Sequence, residues 1–309
     1  MKAPDWIKFF PFVNGRMPDH LIHEVKGPYF RKRWKNTWNI GDSQFEFYAP
    51  WANPIIGTKG DSRGTYARQP GKADVLIKTF ERSIMADGPY VSGWDTSYFY
   101  ANRWYFLAPW FKGVEATLLV KAAVVKSYEP TPGDSLGFFN PRVFELAVGQ
   151  YIDKRFGKDF QGDGKPFYRG PMTWDILPIS DTVNALLLDL HFIGNTCVEN
   201  PLLERAMYFP VSDNQFVEIT LDFGDTEILL DPVRTIPQME LCDSIISSMR
   251  LHVGPNTRAA WEKAQRPGVK LSESMGEFNW PIIEEDALNE SAERDITPAN
   301  DELRIEDRT

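Results

Sequence analysis

Between Phe216 and Phe223 the chain alternates strictly, with Val217, Ile219, Leu221 and Phe223 on one parity and Glu218, Thr220 and Asp222 on the other. A period of two is that of an extended strand, and one apolar side against one polar side predicts an antiparallel sheet with a dry and a wet face. A parallel strand, covered on both faces, reads instead as an unbroken apolar run. Met207-Tyr208-Phe209-Pro210 precedes this strand across the polar turn Ser212-Asp213-Asn214-Gln215, so the two form a hairpin. A turn at Gly224-Asp225 and a short extended run from Thr226 to Leu230 follow, and then the period changes. Met239, Cys242, Ile245, Ile246 and Met249 share one helical stripe, with Thr235 and Gln238 spaced as a capping box, and this helix is expected on the dry face of the sheet.

The first half carries the same signals. Val114, Ala116, Leu118, Val120, Ala122 and Val124 oppose Glu115, Thr117 and Lys121 in a long strand, and a ring-rich strand from Arg103 to Leu107 precedes it across the turn at Lys112-Gly113. Gln44 to Tyr48, Thr173 to Leu177 and Asn184 to Ile193 read as further strands, and Pro50, Pro109, Pro178 and Pro210 punctuate strand ends. Asn140 and Pro141 occupy the N-cap and first position of a helix ending at Phe156, with Gly157 beyond it and Phe144, Ala147, Val148, Tyr151, Ile152 and Phe156 on its stripe. Lys154 and Arg155 in its last turn suit the helix dipole. A short helix is expected from Asn256 to Gln265. The class is α+β: antiparallel sheets built from hairpins and packed against a few helices. The Pro-rich break Glu129-Pro130-Thr131-Pro132-Gly133 divides an aromatic-rich, mainly β region, 1–134, from an α+β domain, 135–280.

Charge is unevenly placed. The net charge is -9, yet the run 281–309 holds ten acids against Arg294, Arg304 and Arg308 and so carries most of it. That run lacks aromatic residues and reads as a solvated acidic tail. Cys197 and Cys242 make no disulfide framework and suit a reducing compartment. The apolar stretch from Trp6 to Val13 is broken by Lys8 and Pro11, which argues against a secretory signal, and no apolar run approaches the roughly 18 residues of a membrane span. The expectation is a cytoplasmic protein that contacts neither membrane nor nucleic acid directly. Arg31-Lys32-Arg33-Trp34-Lys35 is the one basic cluster, and it reads better as a charged edge strand than as a phosphate grip.

Catalytic motifs fare poorly. Gly133-Asp134-Ser135-Leu136-Gly137 has the form of a nucleophile elbow, but Pro130 and Pro132 stand where the preceding buried strand should be, and the helix starts only at Asn140. His20 and His23 share a face without a third metal ligand nearby, and no phosphate loop or paired-cysteine site is present, so no metal or cofactor is expected. Asp189 and His191 point to one face of their strand; if it pairs with Phe216 to Phe223, a wet face gathers Asp189, His191, Glu218, Thr220 and Asp222. Such a face is first a solvated one, second a docking surface joined by Asp213 in the hairpin turn, and third an acid and base site. A hydrolase acting through Asp189, His191 and Glu218, or through Ser135, is one alternative. A carbohydrate or peptide module stacking ligands on Trp51, Trp94 and Trp110 is another.

The run from Tyr208 to Phe223, with Ile245-Ile246-Ser247-Ser248-Met249 after it, resembles in build the TsiT-like class of type VI secretion immunity proteins, antitoxins of nuclease effectors. The resemblance implies a Mog1/PsbP-like sandwich in the second half and a non-enzymatic protein that occludes a cognate, basic toxin. It supplies no motif from which residue roles could be transferred. Asp189, His191, Asp213, Glu218 and Asp222 are the candidate partner-binding residues.

Overall fold

A computed structural model of the chain describes residues 25–28, 30–50, 74–77, 91, 93–108, 113–128, 137–157, 168–192, 202–224 and 232–273. His20, His23, Trp51, Trp110, Ser135, Cys197, the run 226–230 and the acidic stretch 281–309 lie outside the described residues.

The class is α+β, as the hairpin pattern predicts. Nine strands are described: β1 (Arg33–Ile40), β2 (Ser43–Pro50), β3 (Trp94–Ala108), β4 (Gly113–Ser127), β5 (Tyr168–Pro178), β6 (Asn184–Phe192), β7 (Leu202–Pro210), β8 (Gln215–Gly224) and β9 (Arg250–His252). The helices are α1 (Pro141–Phe156), α2 (Pro232–Ser247) and α3 (Pro255–Ala264). Among the described residues no helix is long and apolar enough to cross a membrane. The strands form a six-stranded sheet in the order β3-β4-β8-β7-β6-β5 and a three-stranded sheet in the order β1-β2-β9, with every pairing antiparallel.

The six-stranded sheet is covered on both faces. One face packs on α1 through Phe144, Ala147, Val148, Tyr151 and Ile152, which meet Val125, Leu186, Leu188, Ala206, Tyr208 and Phe216. The other packs on the small sheet and α2: Trp38, Phe45, Phe47, Leu241, Cys242 and Ile245 share a core with Val124, Met207, Phe209, Val217 and Ile219. α2 therefore lies on the Val217, Ile219 and Leu221 side, as expected. β4 pairs along most of its length with β8, from Thr117–Gly224 to Lys126–Gln215, so one sheet crosses the boundary expected near residue 134. The stretches before and after that point both contribute residues to the cores on the two faces of this sheet. A sandwich confined to the second half is likewise replaced by a sheet to which both halves contribute.

Local signals set the helix ends. Asn140 Oδ1 accepts from the backbone N–H of Arg142 at 3.1 Å and Val143 at 3.3 Å, with Pro141 at the first helical position, so the expected N-cap forms. At the other end a Cβ on Gly157 would run into the Asp153 carbonyl oxygen; the glycine is favoured by close approach, its φ of -73° being ordinary. The capping box expected at Thr235 does not form, because α2 already begins at Pro232. The buried Gln238 instead donates from Nε2 to the Thr117 carbonyl at 2.7 Å, tying α2 to β4. Of the basic cluster, Arg31 and Lys32 lie in a 3-10 turn, Phe30–Lys32, and Arg33 and Lys35 fall on β1, an edge strand of the small sheet, with the Arg33 guanidinium over the Phe30 and Tyr48 rings at 5.0 and 5.2 Å.

Candidate functional site

The polar side of β8 is not wet. Phe216 to Leu221 are all buried; Glu218 is 1 % exposed and Thr220 2 %. Alternation shows that the two faces of a strand differ in polarity, and here the polar face lies under α1. Tyr151 and Arg155, one turn apart on α1, reach down onto it. Arg155 Nη1 is paired with Glu218 Oε1. Tyr151 donates to Glu218 Oε2 at 3.0 Å, and Tyr208 on β7 donates to Glu218 Oε1 at 3.2 Å. Arg155 Nη1 also donates to the Tyr151 hydroxyl at 3.3 Å. The carboxylate thus has a full set of donors, which is what a charge in low dielectric needs. Burial alone would lower the Arg155 pKa, but Glu218 holds it well above its ordinary value, so the cation persists. Burial likewise pushes the hydroxyl pKa values of Tyr151 and Tyr208 far up.

The network continues along the sheet. Glu204 on β7 stands directly opposite Asp222 on β8, and Lys121 on β4 reaches Asp222 Oδ2 at 3.2 Å. Asp222 and Lys121 keep 29 % and 33 % of their side chains exposed, so the row opens to solvent at this end, whereas Glu204 is 7 % exposed. Burial first, and then the neighbouring Asp222 charge, raise the Glu204 pKa well above the usual carboxylate range. An acid whose folded-state pKa exceeds its unfolded value takes up a proton on folding. Its contribution to stability is fully present below the unfolded pKa of about 4.3 and is lost as pH rises through the folded one. Glu204→Gln should therefore match the parent at low pH and gain stability relative to it with rising pH. Urea midpoints for the two proteins at pH 4 and pH 8 check this; parallel pH profiles would contradict it.

The sequence-derived site residues separate in space. β6 pairs with β7 and not with β8, and Asp189 lies on the α2 face, opposite Glu218, Thr220 and Asp222. There Arg205 grips Asp189 with two bonds, 2.7 Å from Nε and 3.1 Å from Nη2, and extends to Asp243 at 2.8 Å. The expected gathering of Asp189 with Glu218 is therefore wrong, and a hydrolase drawing on both has no common pocket. His191 pairs through its backbone with Arg169 and Leu203; its side chain lies outside the described residues. Asp213 is exposed in the β7–β8 turn, where its carbonyl accepts from Phe138 N–H at 2.8 Å. Trp94, the described member of the supposed stacking platform, is 5 % exposed and packs among Phe138, Tyr151 and Phe216. Cys242 is also core: burial raises its pKa to about 12, which leaves the thiol inert at neutral pH.

Sequence reasoning missed Arg155, Glu204 and Lys121 as members of this network. The signal for Arg155 was present, since it follows Tyr151 by four residues and so shares its stripe. A concavity of about 390 Å³ lies where the start of α1, the β5–β6 turn and α3 meet, and is lined by Phe139, Ile176, Trp261, Leu271 and Gln265. Among the described residues no group of three or more His, Cys, Asp or Glu is placed to hold a metal ion. No protein-family model matches the chain, and no curated protein matches it in sequence.

Proposed function

We propose that this is an immunity protein, which binds a cognate secreted toxin acting in the cytoplasm and neutralises it by occlusion. The observation that carries the reading is the outward stripe of α2. Val233 and Ile236 stand 43 % and 56 % exposed, one turn apart, and the exposed Glu240 and Asp243 continue the same stripe. Apolar anchors beside carboxylates suit a partner that presents an apolar groove with a basic rim, the surface of a nuclease being one such. The acid excess of the sequence, concentrated in 281–309, favours a basic partner and would speed its capture. Of the residues read from the sequence as partner contacts, Asp213 and Asp222 retain exposure, whereas Asp189 and Glu218 are committed to internal ion pairs.

The experiment is co-purification of the tagged protein with the product of the adjacent open reading frame, followed by the double variant Val233→Asp, Ile236→Asp. Both positions are solvent-facing, so the fold should change by no more than about 0.5 kcal/mol. The complex should weaken at least tenfold, about 1.4 kcal/mol. A complex that forms with unchanged affinity in the double variant would move the interface away from α2, and recovery of no partner would count against the reading itself.

A further inference from the structure

We propose that the concavity between the start of α1, the β5–β6 turn and α3 is the seat of a segment of this same chain, Met275-Gly276-Glu277-Phe278-Asn279-Trp280. This goes beyond the toxin-binding reading and does not depend on it. The volume of about 390 Å³ falls at the small end of the roughly 300–1,000 Å³ in which pockets enclose a compact apolar ligand. Phe139, Phe144 and Val183 line it as buried residues, whereas Ile176, Trp261, Val269 and Leu271 are half-buried. The lining is therefore mainly apolar and in part open to solvent, a surface that an apolar occupant would cover.

The path of the chain beyond α3 points to the occupant. Asn140 Nδ2 donates to the Ala264 carbonyl at 3.4 Å, and Gln265 Nε2 donates to the Phe139 carbonyl at 3.0 Å. Ser272 is fully buried: its backbone N–H and, at 3.1 Å, its hydroxyl both donate to Glu145 of α1, and Trp174 Nε1 donates to its carbonyl at 2.8 Å. The chain is thus clasped to α1 and β5 as it passes the concavity, and Leu271 and Glu273 on either side of the clasp line it. The described residues end at Glu273, and Phe278 and Trp280 follow five and seven positions later. Seven residues reach at most about 25 Å, so both rings fall within range of the concavity. A tether this short gives an effective concentration on the order of millimolar, so even weak apolar contacts fill the site ahead of a partner that must diffuse in. Charge agrees: Lys270 stands exposed on the lining, and Glu277 immediately precedes Phe278. With 275–280 seated, the acidic run 281–309 starts beside α3.

The test is fluorine-19 NMR of the full chain labelled with 5-fluorotryptophan, each signal being assigned by its loss in the matching Trp→Phe variant. Exchange of water for deuterium oxide should shift the Trp280 signal about as little as that of Trp104, 0 % exposed, and much less than that of Trp34, 58 % exposed. Tenfold dilution should leave this shielding unchanged. In the double variant Phe278→Ala, Trp280→Ala the signal of Trp261, which lines the concavity, should move, and a synthetic peptide of residues 274–281 should return it saturably. A Trp280 signal that responds to deuterium oxide as fully as Trp34 overturns the proposal and leaves the concavity to another occupant. Shielding that is lost on dilution also overturns it, seating the segment in a second copy. A Trp261 signal indifferent to the double substitution overturns it too, placing the segment elsewhere. The deuterium oxide and dilution readouts are taken on the unaltered chain, so they stand even if the double variant folds poorly.

Discussion

Arg155→Met should lower stability by about 3–5 kcal/mol, because it strips Glu218 of its cation at 1 % exposure beneath α1. Two donors remain, the hydroxyls of Tyr151 and Tyr208, and they hydrogen-bond the carboxylate without neutralising it. Adding Glu218→Gln in the same chain removes the stranded charge, keeps an acceptor oxygen for one tyrosine and turns an amide N–H towards the hydroxyl of the other. The double variant should recover more than half of the loss. Chemical denaturation of the parent, the single and the double variant measures this directly. A loss below about 1 kcal/mol for the single variant would mean that the pair behaves as a surface salt bridge, contrary to its burial.

Phe216→Ala should cost a similar amount, about 3–5 kcal/mol, for a different reason. The Phe216 ring lies 5.5–6.1 Å, centroid to centroid, from the rings of Trp94, Phe138, Phe144, Tyr151 and Tyr208, which come from β3, α1, β7 and the turn before α1. Truncating it opens a void that no neighbour alone can fill, since the five rings are held by four different parts of the fold. Phe216→Leu keeps most of the volume and should lose far less. Denaturation midpoints, with near-ultraviolet circular dichroism as a report on the ring cluster, distinguish the two substitutions; equal losses would contradict a packing origin.

Much of the fold was legible in the chain. The alternation from Val217 to Phe223 gives β8 and the face on which α2 packs, and Asn140-Pro141 with Gly157 gives both ends of α1. Strand starts were less legible where alternation breaks. β3 begins at Trp94 and not at Arg103, because the irregularity between Tyr98 and Tyr100 shifts the phase of its side chains. β5 begins at Tyr168, ahead of the expected Thr173, across a register shift that contains Gly170 and Pro171.

The candidate site was the least legible part. Alternation reports that Glu218, Thr220 and Asp222 share a face, but whether that face meets water or another layer depends on strand order. β8 is an inner strand beside β4, and its neutralising partner Arg155 lies 63 positions away in sequence. A polar stripe on a central strand is thus read correctly only together with a cation on the apolar stripe of the helix that covers it. Arg155 in the last turn of α1 satisfied the dipole rule and concealed the second role.

Growth of cells carrying the adjacent open reading frame, induced alone and together with this chain, is the most direct test of the immunity reading. The account predicts that the neighbour alone arrests growth, that co-expression restores it, and that Val233→Asp, Ile236→Asp reduces the rescue while the variant protein remains folded. A neighbour that is harmless alone, or an arrest that this chain does not relieve, would contradict it.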